Sequence, residues 1–151
     1  MKLAEALMER ADLQKRIAQL SGRLRNNARV QEGEAPAEDP QALLQELNTL
    51  TERMERLVAQ INQTNSVVRV EGESLTRLLS RRDAWRQQTG ILREFLDAAS
   101  ALADRASRSE IKIASTVNVR ELQKELDEKS KALRGLDAKI QAANWLFDLA
   151  E

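Results

Sequence analysis

Leu43, Leu47, Leu50, Met54, Leu57 and Ile61 follow one another at intervals of 4, 3, 4, 3 and 4 residues. That alternation matches one face of an α-helix and no face of a β-strand. The same rule recurs three more times along the 151 residues. A first helix is predicted from about Lys2 to Asn27, with Leu3, Ala6, Leu13, Ile17, Leu20 and Leu24 on one seam and Arg10 interrupting it. The second starts at Pro40 and runs to about Thr64, where Leu44 and Val58 widen the seam into a stripe. The third spans about Leu75 to Ala106, with Leu78, Trp85, Leu92, Leu96 and Ala99 on a face that also holds Arg82 and Thr89. The fourth carries Val119, Leu122, Leu126, Leu133, Leu136, Ile140, Ala143 and Phe147, with Lys129 in one seam position, and runs to about Leu149.

Start and stop signals agree with these bounds. Asp39 before Pro40 is a helix start, because the Asp side chain can accept a backbone N–H and proline at the first position forfeits no bond. Asn118 and Glu121 form a capping-box pair ahead of the fourth helix. Gly33 and Pro36 interrupt the first connection. Val67 to Ser74 breaks helical periodicity and reads as a short extended turn, and Ile111-Lys112-Ile113 as a candidate strand. Gly90 inside the third helix has two readings, a tolerated glycine or a close approach by a neighbouring helix.

The expected fold is all-α: four long amphipathic helices in one domain, residues 1–151, running up-down-up-down. Two assemblies fit, a four-helix bundle or two antiparallel coiled-coil hairpins. The seams are narrow, and Arg10, Arg82 and Lys129 sit in them, which suits hairpins that bury their remaining apolar surface by self-association. If the first and third connections lie at the same end, Ala28–Gln31 and Glu110–Ala114 are placed to pair as a short two-stranded β ribbon, Val30 near Ile113.

Composition excludes several chemistries. There is no Cys and no His, so no disulfide, no thiolate metal site and no imidazole base. No calcium loop, phosphate loop or activated serine is present, and neither an enzyme nor a cofactor is expected. No apolar run is long enough to span a bilayer and the N-terminal residues carry charges throughout, so a cytoplasmic chain without membrane insertion is expected.

The candidate sites are therefore surfaces. Asn62 and Asn65 stand at the end of the best seam, Asn65 where the next apolar residue is expected. They read as a helix cap or a solvated helix end, or as buried amides that fix register or oligomer state. Trp85, Trp145 and Phe147 are candidate interface anchors, Trp145 and Phe147 equally anchors of the last helical turns, and Trp145 is expected to be mostly buried, against another helix of its own chain or of a neighbouring subunit. Arg77, Arg81, Arg82 and Arg86 form a basic helix face within residues 69–93, which hold six Arg against three acids. Such a face can meet phosphates. The 24 basic and 24 acidic residues of the whole chain, and its 3% aromatic content, argue against a nucleic-acid partner. The leading expectation is an oligomeric coiled-coil scaffold or protein-interaction module.

Several segments together also carry a family likeness: residues 1–7, Arg10-Ala11-Asp12-Leu13-Gln14-Lys15-Arg16-Ile17, Val30-Gln31-Glu32-Gly33-Glu34, Ile61-Asn62-Gln63-Thr64-Asn65, Ser109-Glu110-Ile111-Lys112 and Asn144-Trp145. Over nearly its full length the chain resembles a family of small bacterial proteins of unknown function often labelled "septicolysin". The resemblance implies a helical protein and brings no catalytic residues. Its label implies a cytolysin, which needs an export signal and a membrane-active segment. A looser similarity, to the helical arm of seryl-tRNA synthetases, rests on long charged antiparallel helices alone.

Overall fold

The computed structural model describes residues 1–101 and 112–151. Among these the elements run α1 (Leu3–Asn26), α2 (Pro40–Val67), β1 (Arg69–Val70), β2 (Glu73–Ser74), α3 (Leu75–Ser100) and α4 (Val119–Leu146). The all-α class with four long helices holds, together with one two-stranded antiparallel ribbon. The contacts divide the chain into two compact units, Met1–Ser74 with Ala143–Glu151, and Leu75–Ala142.

The first unit is built on α1 and α2. Their seams supply Leu3, Ala6, Leu13 and Leu20 from one helix and Leu43, Leu50, Leu57 and Ile61 from the other, all buried. Aliphatic burial of this kind is the main stabilising term, at about 25 cal/mol per Å² removed from water. Leu44, placed in the stripe by its spacing, is 43% exposed, so the α2 face is narrower there than expected. Ion pairs flank the seam in antiparallel order. The Arg53 Nε donates to Glu9 at 2.6 Å, and Arg23 reaches both Glu38, at 2.6 Å, and Glu46, at 3.5 Å. The Arg53 guanidinium holds the Glu9 carboxyl below the usual carboxylate range, and Arg23 does the same for Glu38. Arg10, which interrupts the α1 seam, keeps its Nε buried with no hydrogen-bond partner.

The connection between α1 and α2 is closed at its base by side chains. The Asn27 amide donates to the Arg23 carbonyl at 2.8 Å, and its oxygen accepts the Glu38 N–H at 2.9 Å. A turn with Glu34 N–H on the Gln31 carbonyl follows, with Gly33 at φ +87°. Asp39 caps α2 by accepting the Gln41 N–H at 3.0 Å, as its position before Pro40 predicts.

The ribbon is not where the spacing places it. Val30 and Ile113 lie in no strand and are 47% and 46% exposed; Glu110 and Ile111 lie outside the described residues. The pairing runs instead across the α2–α3 connection, Arg69 with Ser74 and Val70 with Glu73. Glu71 (φ +52°) and Gly72 (φ +88°) form its two-residue turn. Positive φ at both central positions is the turn geometry that follows strand twist, and it lets neighbouring residues pair without a long-range partner.

The second unit is a helical pair. Arg82 and Arg86 both reach Asp137, at 3.8 and 3.4 Å, and Trp85 and Thr89 face Glu128, Lys129 and Ala132. Rising numbers on α3 meet falling numbers on α4, so the two run antiparallel. Leu78, Thr89 and Leu96 are buried on α3, and Leu126, Leu136 and Ile140 on α4. Asn118 caps α4 by accepting the Glu121 N–H at 3.2 Å.

A Cβ on Gly90 meets nothing within 4 Å, so no helix approaches closely there and the glycine is simply tolerated. Gly90→Ala is therefore expected to raise stability by about 1 kcal/mol, and Gly72→Ala, forced to positive φ, to lower it by about the same. Thermal melts of the two single variants against the parent check both signs.

Candidate interaction surfaces

The chain termini meet each other and the end of α2. Leu3 N–H donates to the Phe147 carbonyl at 3.0 Å, and Leu149 N–H to the Met1 carbonyl at 2.9 Å, either side of a bridge between Lys2 and Asp148. The Lys2 ammonium adds an ion pair to Asp148 at 3.0 Å and a bond to the Leu146 carbonyl at 3.0 Å. From α2, the Gln60 amide donates to the Ala150 carbonyl at 3.0 Å, and the Thr64 hydroxyl accepts the Ala150 N–H at 2.8 Å. These partners explain why α4 stops at Leu146 and does not run to Leu149. The last residues bond across to Met1, Leu3 and Thr64 in place of continuing the helix.

Thr64 is the polar centre of this end. It is 1% exposed, donates to the Gln60 carbonyl at 2.8 Å and accepts from Ala150. The neighbouring amides sit on the solvated side of this helix end, one of the readings their position allows. Asn62 is exposed and Asn65 only half-buried, and α2 continues past both to Val67, so neither is a buried register residue nor the cap. The seam rule itself points to Thr64: after an interval of 4 from Leu57 to Ile61 the next is 3, which lands on Thr64 and passes over Asn65.

The aromatic residues lie outside the core. Trp145 is 56% exposed and Leu146 68%, which overturns the expected burial of Trp145 within the chain. The face of α4 that turns inward at this level is that of Ala143 and Asn144, 4% and 7% exposed. Phe147 is half-buried beside the terminal pairing, Trp85 is half-buried on α3, and Phe95 is 45% exposed.

Trp85 lines a cavity of about 290 Å³ within the second unit, together with Gln88, Thr89, Glu128, Lys129 and Ala132. Its origin is legible in the seams. Thr89 and Lys129, two polar residues that stand in seam positions of α3 and α4, both line this space. Neither fills it as a leucine pair would. Thr89 turns its hydroxyl back onto the Trp85 carbonyl at 2.9 Å, and Lys129 leans towards Glu125 at 3.9 Å.

The four arginines do not form one free cationic face. Arg82 pairs with Asp83 at 3.1 Å and shares Asp137 with Arg86, and its side chain is only 19% exposed. Arg77 and Arg81 are not without partners either. Among the described residues no cluster of carboxylates could hold a metal ion, and no helix is long and apolar enough to cross a membrane.

Comparison with known proteins gives two likenesses. Residues 10–149 match a family described as "family of unknown function (DUF6847)". A solved structure, "Crystal structure of a functionally unknown conserved protein from Corynebacterium diphtheriae", is 43% identical, with 99% of each chain covered and a TM-score of 0.93. No curated protein matches the chain.

Proposed function

The chain belongs to that family of unknown function, and on this premise we propose that it is a non-catalytic, cytoplasmic protein-interaction module that works by helix-to-helix contact and self-associates. One observation carries the reading: none of the four aromatic side chains is in the buried core, and two of them, Phe95 and Trp145, stand 45% and 56% in solvent. Among the described residues every buried apolar side chain is aliphatic. Aromatic residues are the largest apolar groups available, and Trp in particular is enriched where proteins touch other proteins. A chain that excludes all of them from its own interior keeps its best contact groups for another surface.

Competing readings have less behind them. A nucleic-acid role for the Arg77–Arg86 face has to share Arg82 and Arg86 with Asp137. A lytic role, which the septicolysin label implies, draws no support from the described helices, none of which is long and apolar enough to cross a membrane. Size-exclusion chromatography with light scattering tests the leading reading. A molar mass at least twice the 17.1 kDa of one chain is expected at micromolar concentration. A mass that stays at one chain up to the highest soluble concentration sinks self-association.

A further inference from the structure

On α3 a second apolar stripe runs beside the one that faces α4. The inner seam is Leu78, Arg82, Trp85, Thr89, Leu92, Leu96 and Ala99. One position back along the chain, Ala84, Gln88, Ile91, Phe95 and Ala98 repeat the same alternation, at intervals of 4, 3, 4 and 3. A shift of one residue is a rotation of about 100° around the helix, so the second stripe is a separate face. All five of its residues are exposed, Ile91 at 61% and Phe95 at 45%. It has the spacing of a coiled-coil seam, and no helix covers it among the described residues.

Gln88 belongs both to this stripe and to the wall of the cavity behind Trp85 and Thr89. The stripe therefore offers a projecting group, Phe95, and a recess beside Gln88, separated by seven residues, which is two helical turns. We propose that a second copy of this chain docks here, α3 against α3 and antiparallel, with Phe95 of each copy entering the cavity beside the other's Gln88. This deepens the self-association reading and rests on it.

The register follows from the spacing. Setting Phe95 opposite the second copy's Gln88 sets Gln88 opposite its Phe95, so one contact generates the other by two-fold symmetry. The axis then passes between Ile91 and Leu92, and Ile91 meets its own counterpart across it. Ala84 lies level with the far alanines, Ala98 and Ala99, small residues that let the helix ends approach. Gln87 of one copy falls beside Glu94 of the other, an amide against a carboxylate, and no like charges are set face to face. A cavity of about 290 Å³ has room for a phenyl group, and filling it removes the void left between Thr89 and Lys129. A knob of one copy thus meets a hole that the other copy's own helices leave open.

The chain has no Cys, so Ile91→Cys carries a single thiol placed next to the axis. Mild oxidation of that variant is expected to give a disulfide-linked dimer on a non-reducing gel. Leu44→Cys, at an exposed site on α2, is the control and is expected to cross-link much less. Phe95→Ala is expected to raise the dimer dissociation constant at least about tenfold by light scattering, with its circular-dichroism melt unchanged at dilutions where both chains are monomeric, because Phe95 is not in the core. A parent chain that stays monomeric overturns this proposal and the self-association reading together. A parent that assembles while Ile91→Cys cross-links no better than Leu44→Cys, and Phe95→Ala assembles as before, overturns the α3 site alone.

Discussion

Leu57→Ala is expected to cost about 2–5 kcal/mol of folding stability, a large fraction of what holds a single domain together. Leu57 is 0% exposed and lies on the α2 seam between the half-buried Met54 and Ile61, which is 2% exposed, with Leu50, 6% exposed, one seam position further back. Truncation removes three carbons from a site that two long helices hold open, so the backbone has little freedom to collapse onto the void. The core has no aromatic side chain to swing into the gap, which pushes the cost towards the upper part of that range. Leu44→Ala on the same helix is the internal comparison. Leu44 is 43% exposed, and its loss is expected to cost about 0.5 kcal/mol. Chemical denaturation of both variants measures the difference directly, and equal midpoints would falsify the seam assignment. A matched slope of free energy on denaturant is also expected, because neither change alters how much surface unfolding exposes.

That contrast shows what the sequence makes legible. The intervals of 3 and 4 locate all four helices, and caps such as Asp39 and Asn118 locate starts to within a residue, because both are local effects of backbone geometry. Helix ends are harder. α2 runs three residues past Thr64, and α4 stops three short of Leu149. In the second case the cause is non-local: Phe147, Leu149 and Ala150 bond to residues that are more than 80 positions away in the chain. No periodicity within α4 carries that information. The ribbon departs from its expected place for a related reason. A topological argument joins two distant connections, whereas a two-residue turn with Glu71 and Gly72 satisfies the backbone locally. Of the candidate surface residues, Trp85 and Phe147 are half-buried, while Trp145, expected to be buried against its own chain or a neighbouring subunit, is 56% exposed on its own chain. Size and hydrophobicity alone do not say whether a tryptophan serves its own chain or another. The cavity is legible in part, since Thr89 and Lys129 are visible as polar intrusions in two seams. That the two intrusions line one cavity depends on the α3–α4 register, which spacing within either helix does not fix.

Thr64→Val is expected to lower stability by about 1–3 kcal/mol and to loosen the C-terminal segment selectively. Valine keeps the branched shape and the volume, so packing around position 64, 1% exposed, is retained. What is lost is one oxygen. The hydroxyl accepts the Ala150 N–H at 2.8 Å and, as the donor, satisfies the Gln60 carbonyl at 2.8 Å. Losing the first leaves a partly buried N–H without a partner, which costs more than an average exposed hydrogen bond. The second matters less, because that carbonyl keeps its bond within α2. The remaining contacts at this end, Gln60 to the Ala150 carbonyl and the Met1–Leu149 and Leu3–Phe147 bonds, then hold the segment without its deepest anchor. Amide hydrogen exchange resolved by residue separates a local from a global effect. Faster exchange is expected at Leu149 and Ala150, with protection in the middle of α2 lowered only by the global loss. If the variant melts as the parent does and Ala150 exchanges no faster, Thr64 is merely a buried threonine, and the closure of the two termini rests on Lys2, Asp148, Gln60 and the backbone pairing. Thr64→Ser separates the hydroxyl from the methyl group. Serine restores the acceptor and is expected to recover the slow exchange at Ala150, while the missing methyl keeps part of the stability loss, about 1 kcal/mol.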